Sequence, residues 1–122
     1  MTWNKLSLTI AALSMVFLTS CANVGITTIK AAPPKSENCS LDIYTDESEI
    51  KRPFEVLCLI DSSTSRSIFA TKTGAAALEK AKPEACECGA DAIIITEIGR
   101  MDTIDGQGRA VLKAIRYTDR YR

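Results

Sequence analysis

Four cysteines constrain the fold of this chain more than any other feature of its sequence. They are Cys39, Cys58, Cys86 and Cys88, and they follow a fifth cysteine at position 21. A direct bridge between Cys86 and Cys88 would be badly strained, because only one residue separates them. Two of the three possible pairings remain, namely Cys39–Cys86 with Cys58–Cys88, or Cys39–Cys88 with Cys58–Cys86. Either pairing would join the end of a predicted helix to the first two predicted strands.

Two disulfides would place the domain in an oxidising compartment. Free or partly paired thiols are one other interpretation of the same residues. A soft-metal site is another, since a Cys-x-Cys motif such as Cys86-Glu87-Cys88 can bind Cu(I) or Zn(II). The sequence favours the two disulfides, because an even number of cysteines remains once Cys21 is set apart.

The N-terminal residues indicate the compartment independently. The apolar run Leu6–Leu18 has 13 residues, whereas a comfortable bilayer span takes about 20. It ends in Leu18-Thr19-Ser20-Cys21, which has the form of a lipobox, a small-residue cleavage site directly followed by a cysteine. We predict that residues 1–20 are a removed signal peptide and that Cys21 becomes the lipidated first residue. An ordinary signal peptide with an incidental cysteine and an uncleaved anchor are the alternatives.

The residue after Cys21 indicates which membrane would hold the lipid. In Gram-negative lipoproteins, an Asp at this position commonly marks retention in the inner membrane. The residue here is Ala22. For a Gram-negative source, we therefore predict a lipid-anchored protein of the outer membrane that faces the periplasm.

The mature chain is predicted to consist of a linker and one small domain. Residues 21–39 show little apolar periodicity and contain Pro33-Pro34. Such a linker would hold the domain some tens of ångströms from the bilayer, at about 3 Å per extended residue. Residues 40–122 are predicted to form the domain. A folding unit of about 80 residues has a thin stability margin, so disulfides or self-association would help it.

Apolar patterning predicts four strands and one helix in this domain. In chain order they are the strand Leu41–Tyr44, the strand Phe54–Asp61, the helix Thr73–Cys88, the strand Asp91–Ile98 and the strand Arg109–Thr118. Thr73 is the predicted helix cap, and Pro83 predicts either a kink or two short helices. A hairpin loop is predicted over 99–108. The predicted fold class is α+β, in the order β-β-α-β-β, with a small antiparallel four-stranded sheet that carries one helix on a face.

Composition argues against several functions. The chain has no His, which removes Ser-His-Asp and Cys-His catalysis and His-ligated metal sites. Its 15 cationic and 15 anionic side chains lack the basic excess of a nucleic-acid-binding protein. The acidic residues show no converging pattern for calcium binding or acid–base catalysis, and we interpret them as solvated turns: Asp42, Asp46, Glu47, Glu49, Asp102 and Asp105. We therefore predict no catalytic residue, no metal site and no cofactor.

Two surfaces are candidates for contact with partners. The C-terminal end is basic, which suits anionic lipid, an acidic partner or an edge strand protected by charge: Arg109, Lys113, Arg116, Arg120 and Arg122. The apolar runs Leu57–Ile60 and Ala92–Ile95 exceed what one helix on one face would bury. The other sheet face would then contact a second copy or another protein, or stay partly exposed.

Several segments of the chain resemble two known families. Ile43-Tyr44-Thr45, Glu49-Ile50 and Arg52–Val56, followed after the helix by Gly89–Ile94, are similar to the RcsF family of bacterial outer-membrane stress-sensing lipoproteins. Gly89–Ile93 also looks like the YbjQ-type domains, a small oligomeric α+β family. The first resemblance implies a lipobox, a Pro-containing linker and a domain with two disulfides. It also implies a non-enzymatic role through protein–protein contacts in cell-envelope sensing or maintenance. The alternative function is a metal- or redox-responsive domain that uses Cys86 and Cys88.

Overall fold

The computed structural model of this chain describes residues 24–65, 71–100 and 106–119. Its elements in chain order are β1 (Val24–Thr28), β2 (Asp42–Tyr44), a 3₁₀ helix (Glu47–Glu49), β3 (Phe54–Ser63), α1 (Gly74–Glu87), β4 (Ala92–Arg100) and β5 (Gly108–Tyr117). Several predictions fall outside the described residues. They concern the signal peptide of residues 1–20, the lipid site Cys21, the sorting residue Ala22, the middle of the hairpin loop, Arg120 and Arg122.

The five strands form one mixed sheet in the order β1-β3-β5-β4-β2, and α1 packs on one of its faces. The predicted α+β class with one helix is therefore confirmed. The prediction of four antiparallel strands was wrong in two respects. The sheet has a fifth strand, β1, and β2 pairs with β4 in parallel.

The additional strand lies within residues 21–39, the stretch predicted to be a linker. β1 pairs antiparallel with β3 over all five of its residues, from Val24 opposite Ser62 to Thr28 opposite Cys58. Its sequence, Val-Gly-Ile-Thr-Thr, is rich in the β-branched residues that strands favour. Only Val24 is partly buried, because β1 is an edge strand, and the weak apolar periodicity follows from that position.

β2 lies at the edge of the sheet opposite β1 and pairs there in parallel with β4. β5 and β4 lie between β3 and β2, so the connection over 45–53 must cross from one side of the sheet to the other. A hairpin between the first two predicted strands would require them to be neighbours. This sheet order places β2 beside β4 instead, with Asp42 opposite Ala92.

The helix begins and ends as its terminal residues predict. Thr73 is the N-cap, and its Oγ1 accepts a hydrogen bond from Ala76 N at 3.1 Å. The small residues Ala77, Ala81 and Ala85 face the sheet and are fully buried, which lets the helix backbone approach the strands closely. The helix is continuous through Pro83, so the alternative of two short helices was wrong.

The second face of the sheet is covered in part by the chain itself. A smaller apolar cluster lies there, formed by Ala92, Ile94, Ile115 and Tyr117 with Tyr44, Ile50, Phe54 and Val56 packed against it. Ile50 belongs to the connection over 45–53, which shields this half of the sheet. β5 pairs with strands on both sides, so the prediction that its charges protect an edge strand was wrong. Among the described residues, no helix is long and apolar enough to cross a membrane.

Candidate functional site

The four downstream cysteines meet at the C-terminal end of α1. They form the disulfides Cys39–Cys86 and Cys58–Cys88, with S–S distances of 2.04 and 2.08 Å, the first of the two pairings that the sequence leaves open. Cys58 is fully buried and Cys86 is 1% exposed. The two bridges join the helix end to the segment before β2 and to the middle of β3, across 47 and 30 positions of the chain.

The segment after β1 is fastened along this same end of the helix. Ile29 N and Lys30 N donate to the carbonyl oxygen of Leu57 at 2.8 and 2.9 Å, and Lys35 N donates to the carbonyl oxygen of Cys86 at 2.9 Å. Gly89 has a φ of 91°, and a Cβ at this position would lie 2.6 Å from the carbonyl oxygen of Pro33. Only glycine combines that backbone angle with so close an approach. Residues 29–39 therefore form part of the folded domain and do not act as a free spacer.

Ion pairs reinforce this attachment on the outer surface. Glu55 of β3 accepts hydrogen bonds from Lys30 Nζ at 2.6 Å and from Arg116 Nε at 2.8 Å. The Lys30 ammonium and the Arg116 guanidinium hold the pKa of Glu55 below its usual value. The segment after β1 is thereby connected to β3 by charge as well as by backbone hydrogen bonds, and through Glu55 to Arg116 of β5.

Asp91 links three parts of the fold. Its Oδ1 pairs with the Lys35 ammonium, and its Oδ2 accepts from Tyr117 N at 3.0 Å. The Asp91 side chain is 8% exposed, so water offers little replacement for these bonds. Lys35 Nζ also donates to the carbonyl oxygen of Ala90 at 2.9 Å. Asp91 therefore connects the N-terminal segment, the start of β4 and the end of β5.

A tyrosine pair lies beside this carboxylate. Tyr117 OH donates to Asp42 Oδ2 at 2.6 Å and lies 2.8 Å from Tyr44 OH. The guanidinium of Arg52 lies 3.8 Å above the centre of the Tyr117 ring. Burial of the hydroxyl, and next its hydrogen bond to Asp42, raise the pKa of Tyr117 far above the usual value for tyrosine. The phenol therefore serves as a hydrogen-bond donor that ties β5 to β2.

The raised pKa of Tyr117 predicts a loss of stability at high pH. In the unfolded chain a tyrosine ionises near pH 10, whereas the folded state keeps this hydroxyl protonated. Its contribution is therefore complete below about pH 10 and is lost as the pH rises toward the folded-state pKa. Urea unfolding at pH 8 and near pH 11 should show the stability advantage of the wild type over Tyr117→Phe shrinking at the higher pH. A constant advantage would contradict this assignment.

A cleft of about 320 Å³ lies between the segment after β1 and the helix end. It is lined by Ile26, Thr28, Lys30, Ala31, Ala32, Glu84, Glu87 and Cys88. Its charged groups are one ammonium and two carboxylates, an arrangement without a nucleophile and base in contact. The part of the chain that the structure describes also holds no group of three or more His, Cys, Asp or Glu side chains placed to bind a metal. Cys86 and Cys88 are bonded to different cysteines, so a metal- or redox-responsive role would first require reduction.

The exposed large apolar residues of the described chain lie on both faces and toward both edges of the sheet: Ile26, Ile29, Ile43, Leu59 and Ile98. Ile26 and Leu59 point to opposite faces of the sheet, since Ile26 pairs with Ile60 and Thr27 pairs with Leu59. Ile43 lies on β2 and Ile98 on β4, toward the edge of the sheet opposite β1. Scattered exposed residues of this kind are ordinary on a folded protein. Contact with a second copy or a protein partner stays a prediction.

Comparison with known proteins identified no relative: no protein-family model, no curated protein and no solved structure matches this chain.

The sequence predicts the four paired cysteines but not the polar network around them. In the chain, Asp91 lies 56 positions after Lys35. Tyr117 lies another 26 positions after Asp91. No local spacing relates them. The one available signal was the β-branched run of β1, which could have shown that the chain enters the sheet before residue 40.

Proposed function

We propose that this protein is a membrane-anchored lipoprotein that carries its lipid on Cys21 and acts without catalysis, through protein–protein contacts in cell-envelope sensing or maintenance. The folded domain would be a disulfide-bonded binding module held at the membrane surface. This role corresponds to the one that the resemblance to the RcsF family implies.

The use of the cysteines carries this proposal. The two disulfides account for four of the five cysteines in the chain, and the fifth is Cys21 of the lipobox. Disulfides persist in exported proteins and are rare in the cytosol. An exported chain with one cysteine left outside its disulfides, directly after a small-residue cleavage site, is what lipidation requires.

The lipid anchor can be tested by membrane fractionation. We expect Cys21→Ser, produced with an ordinary cleavable secretory signal in place of residues 1–20, to move from the membrane fraction to the soluble fraction, because the variant lacks the thiol that accepts the lipid. Ser20→Ala is the matched control, since it keeps a small residue at the cleavage site and should stay in the membrane fraction. Mass spectrometry of the mature N-terminus should find lipid on Cys21. A Cys21→Ser protein that still sediments with membranes would contradict the proposal.

The predicted membrane can be tested separately in a Gram-negative host. We expect the wild type in the outer-membrane fraction and Ala22→Asp in the inner-membrane fraction, because Asp at this position commonly retains a lipoprotein. Sucrose-gradient separation of the two membranes would measure both distributions. Identical distributions would remove the sorting argument and leave lipidation unaffected.

In-cell crosslinking would address the protein–protein role. Partners captured by the lipidated protein and lost in the Cys21→Ser variant depend on the anchor. The alternative role in metal or redox response would instead show reactive thiols from Cys86 and Cys88 in the protein isolated from cells. Thiol titration and metal analysis of that protein distinguish the two functions.

A further inference from the structure

The distance between the lipid site and the folded domain is very short. β1 begins at Val24 and pairs with β3 from its first residue, so only Ala22 and Asn23 separate Cys21 from the sheet. Three fully extended residue steps cover at most about 11 Å. The proline-containing segment 29–39 comes after β1 and is fastened to the domain, so it adds no length to this tether.

We propose that the lipid holds one end of the domain directly against the bilayer, where cationic side chains contact anionic lipid headgroups. This inference rests on the proposed lipidation of Cys21. It replaces the prediction of a domain held some tens of ångströms away from the membrane.

The sheet register identifies the end of the domain concerned, which we call the proximal end. Val24 pairs with Ser62 near the end of β3, and Ser63 pairs with Arg109 at the start of β5. β4 ends here as well, with Arg100 opposite Gly108. Gly108 packs against the backbone of Thr73, the N-cap of α1. The starts of β1, β5 and α1 and the ends of β3 and β4 therefore lie together.

The described charges at the proximal end are predominantly positive. The cations are Lys72, Lys80, Lys82, Arg100 and Arg109, and the carboxylates are Asp61, Glu79 and Glu97, of which Glu79 pairs with Lys82 at 2.6 Å. Arg109 contacts the other two carboxylates, at 2.8 Å from Asp61 and 3.5 Å from Glu97. Lys80 Nζ and Arg100 Nε donate to backbone carbonyl oxygens, those of Ser63 at 3.2 Å and Gly106 at 3.0 Å. The excess of cationic over anionic side chains among these described residues, together with the positive dipole end of the 14-residue helix, suits an anionic surface.

Acidic side chains are concentrated away from the proximal end. Asp46, Glu47 and Glu49 lie in the connection that leads to the start of β3, and Glu84 and Glu87 lie at the C-terminal end of α1. β3 has ten residues and is about 30 Å long. This length exceeds the screening distance of about 8–10 Å in physiological salt. An anionic bilayer therefore attracts the proximal end strongly and acts little on the opposite end.

Two lysines offer a matched pair of probes for this orientation. Lys80 is exposed at the proximal end and donates to a backbone carbonyl oxygen at 3.2 Å. Lys51 is exposed beside the start of β3 and donates to the carbonyl oxygen of Ser48, also at 3.2 Å. Their ammonium groups thus have similar local surroundings in the free domain, and a difference between them in the anchored protein reports the bilayer.

The experiment compares amine acylation of the two lysines in the full mature protein. The lipidated protein is reconstituted in vesicles of phosphatidylethanolamine and phosphatidylglycerol, and unlipidated Cys21→Ser is measured in solution. We expect acylation of Lys80 at least about fivefold slower on the vesicles, because anionic headgroups surround its ammonium. Acylation of Lys51 should differ little between the two forms. Peptide mass spectrometry measures both rates.

A spacer variant separates the tether from other causes of protection. About 20 Gly and Ser residues inserted between Asn23 and Val24 keep the lipid and lengthen the tether. Acylation of Lys80 should then return toward its rate in solution. Lys80 that stays protected in the spacer variant, or that reacts equally fast in the lipidated and unlipidated wild-type sequences, overturns the docking proposal while lipidation stands. Absence of lipid on Cys21 overturns the proposed function itself.

Discussion

Removal of the Cys58–Cys88 disulfide is expected to lower the free energy of unfolding by about 4 kcal/mol. The bridge connects residues 30 positions apart, and cross-linking a loop of this length removes about that much conformational freedom from the unfolded chain. A domain of this size has a total stability of roughly 5–15 kcal/mol. Loss of a single bridge would therefore leave a domain that is marginal or unfolded at physiological temperature.

The measurement is urea or thermal unfolding of the double variant Cys58→Ala/Cys88→Ala, which leaves no unpaired thiol at the site. A matched double variant, Cys39→Ala/Cys86→Ala, removes the bridge with a separation of 47 residues and should cost about as much or slightly more. Peptide mapping of the non-reduced wild type should recover both bridges with the pairing seen here. An unfolding midpoint that does not change in either variant would show that the disulfides do not stabilise the domain.

Gly108→Ala is expected to destabilise the domain by about 3 kcal/mol, at the upper end of the usual cost of overpacking. A Cβ at Gly108 would overlap the carbonyl group of Thr73 and would lie 2.7 Å from its nitrogen. These atoms belong to the backbone of the helix N-cap and cannot rotate away as a side chain would. β5 cannot shift either, because it pairs with β3 on one side and β4 on the other.

Gly99→Ala provides the control for this substitution. Gly99 lies on the neighbouring strand opposite Arg109, one position from the Arg100–Gly108 pair. A Cβ at Gly99 meets no atom within 4 Å. The free energy of unfolding of the Gly99→Ala variant should therefore stay within about 0.5 kcal/mol of the wild-type value. Thermal unfolding of the two variants side by side would compare a glycine whose Cβ position is blocked by backbone with a nearby glycine whose Cβ position is unoccupied. Equal midpoints for both variants would contradict the close approach of helix and sheet at Gly108.

Local sequence patterns predicted the strands and the helix cap, because these features form from residues that are close together in the chain. The stretch after Pro53, with its continuous apolar run Leu57–Ile60, and the β-branched run from Ala92 became β3 and β4. Thr73 capped the helix as predicted, because a hydroxyl three residues before an amide in the first turn is a local geometry. Cysteine spacing alone reduced three pairings to two, since strain excluded the bridge between Cys86 and Cys88.

The choice between the remaining pairings required the packed structure. Cys58 faces the helix from β3, and Cys88 follows the last turn of α1, where the two sulfur atoms meet. Cys39 approaches the same helix end only because the segment after β1 is fastened there, with Lys35 N bonded to the carbonyl oxygen of Cys86. Spacing along the chain contains no information on these positions.

The sequence by itself determined the helix, four of the strands, the exclusion of histidine chemistry and the lipobox that predicts a membrane anchor. These depend on short-range periodicity, capping and residue type. Tertiary structure alone decided that Val24–Thr28 joins the sheet, that β2 runs parallel to β4, and that Lys35, Asp91 and Tyr117 meet. Each of these results depends on pairing between segments far apart in the chain, where competing partners differ in burial and hydrogen bonding and not in local sequence. The same pairing places β1 within the stretch predicted to be a linker, so that under the proposed lipidation only two residues would separate Cys21 from the sheet.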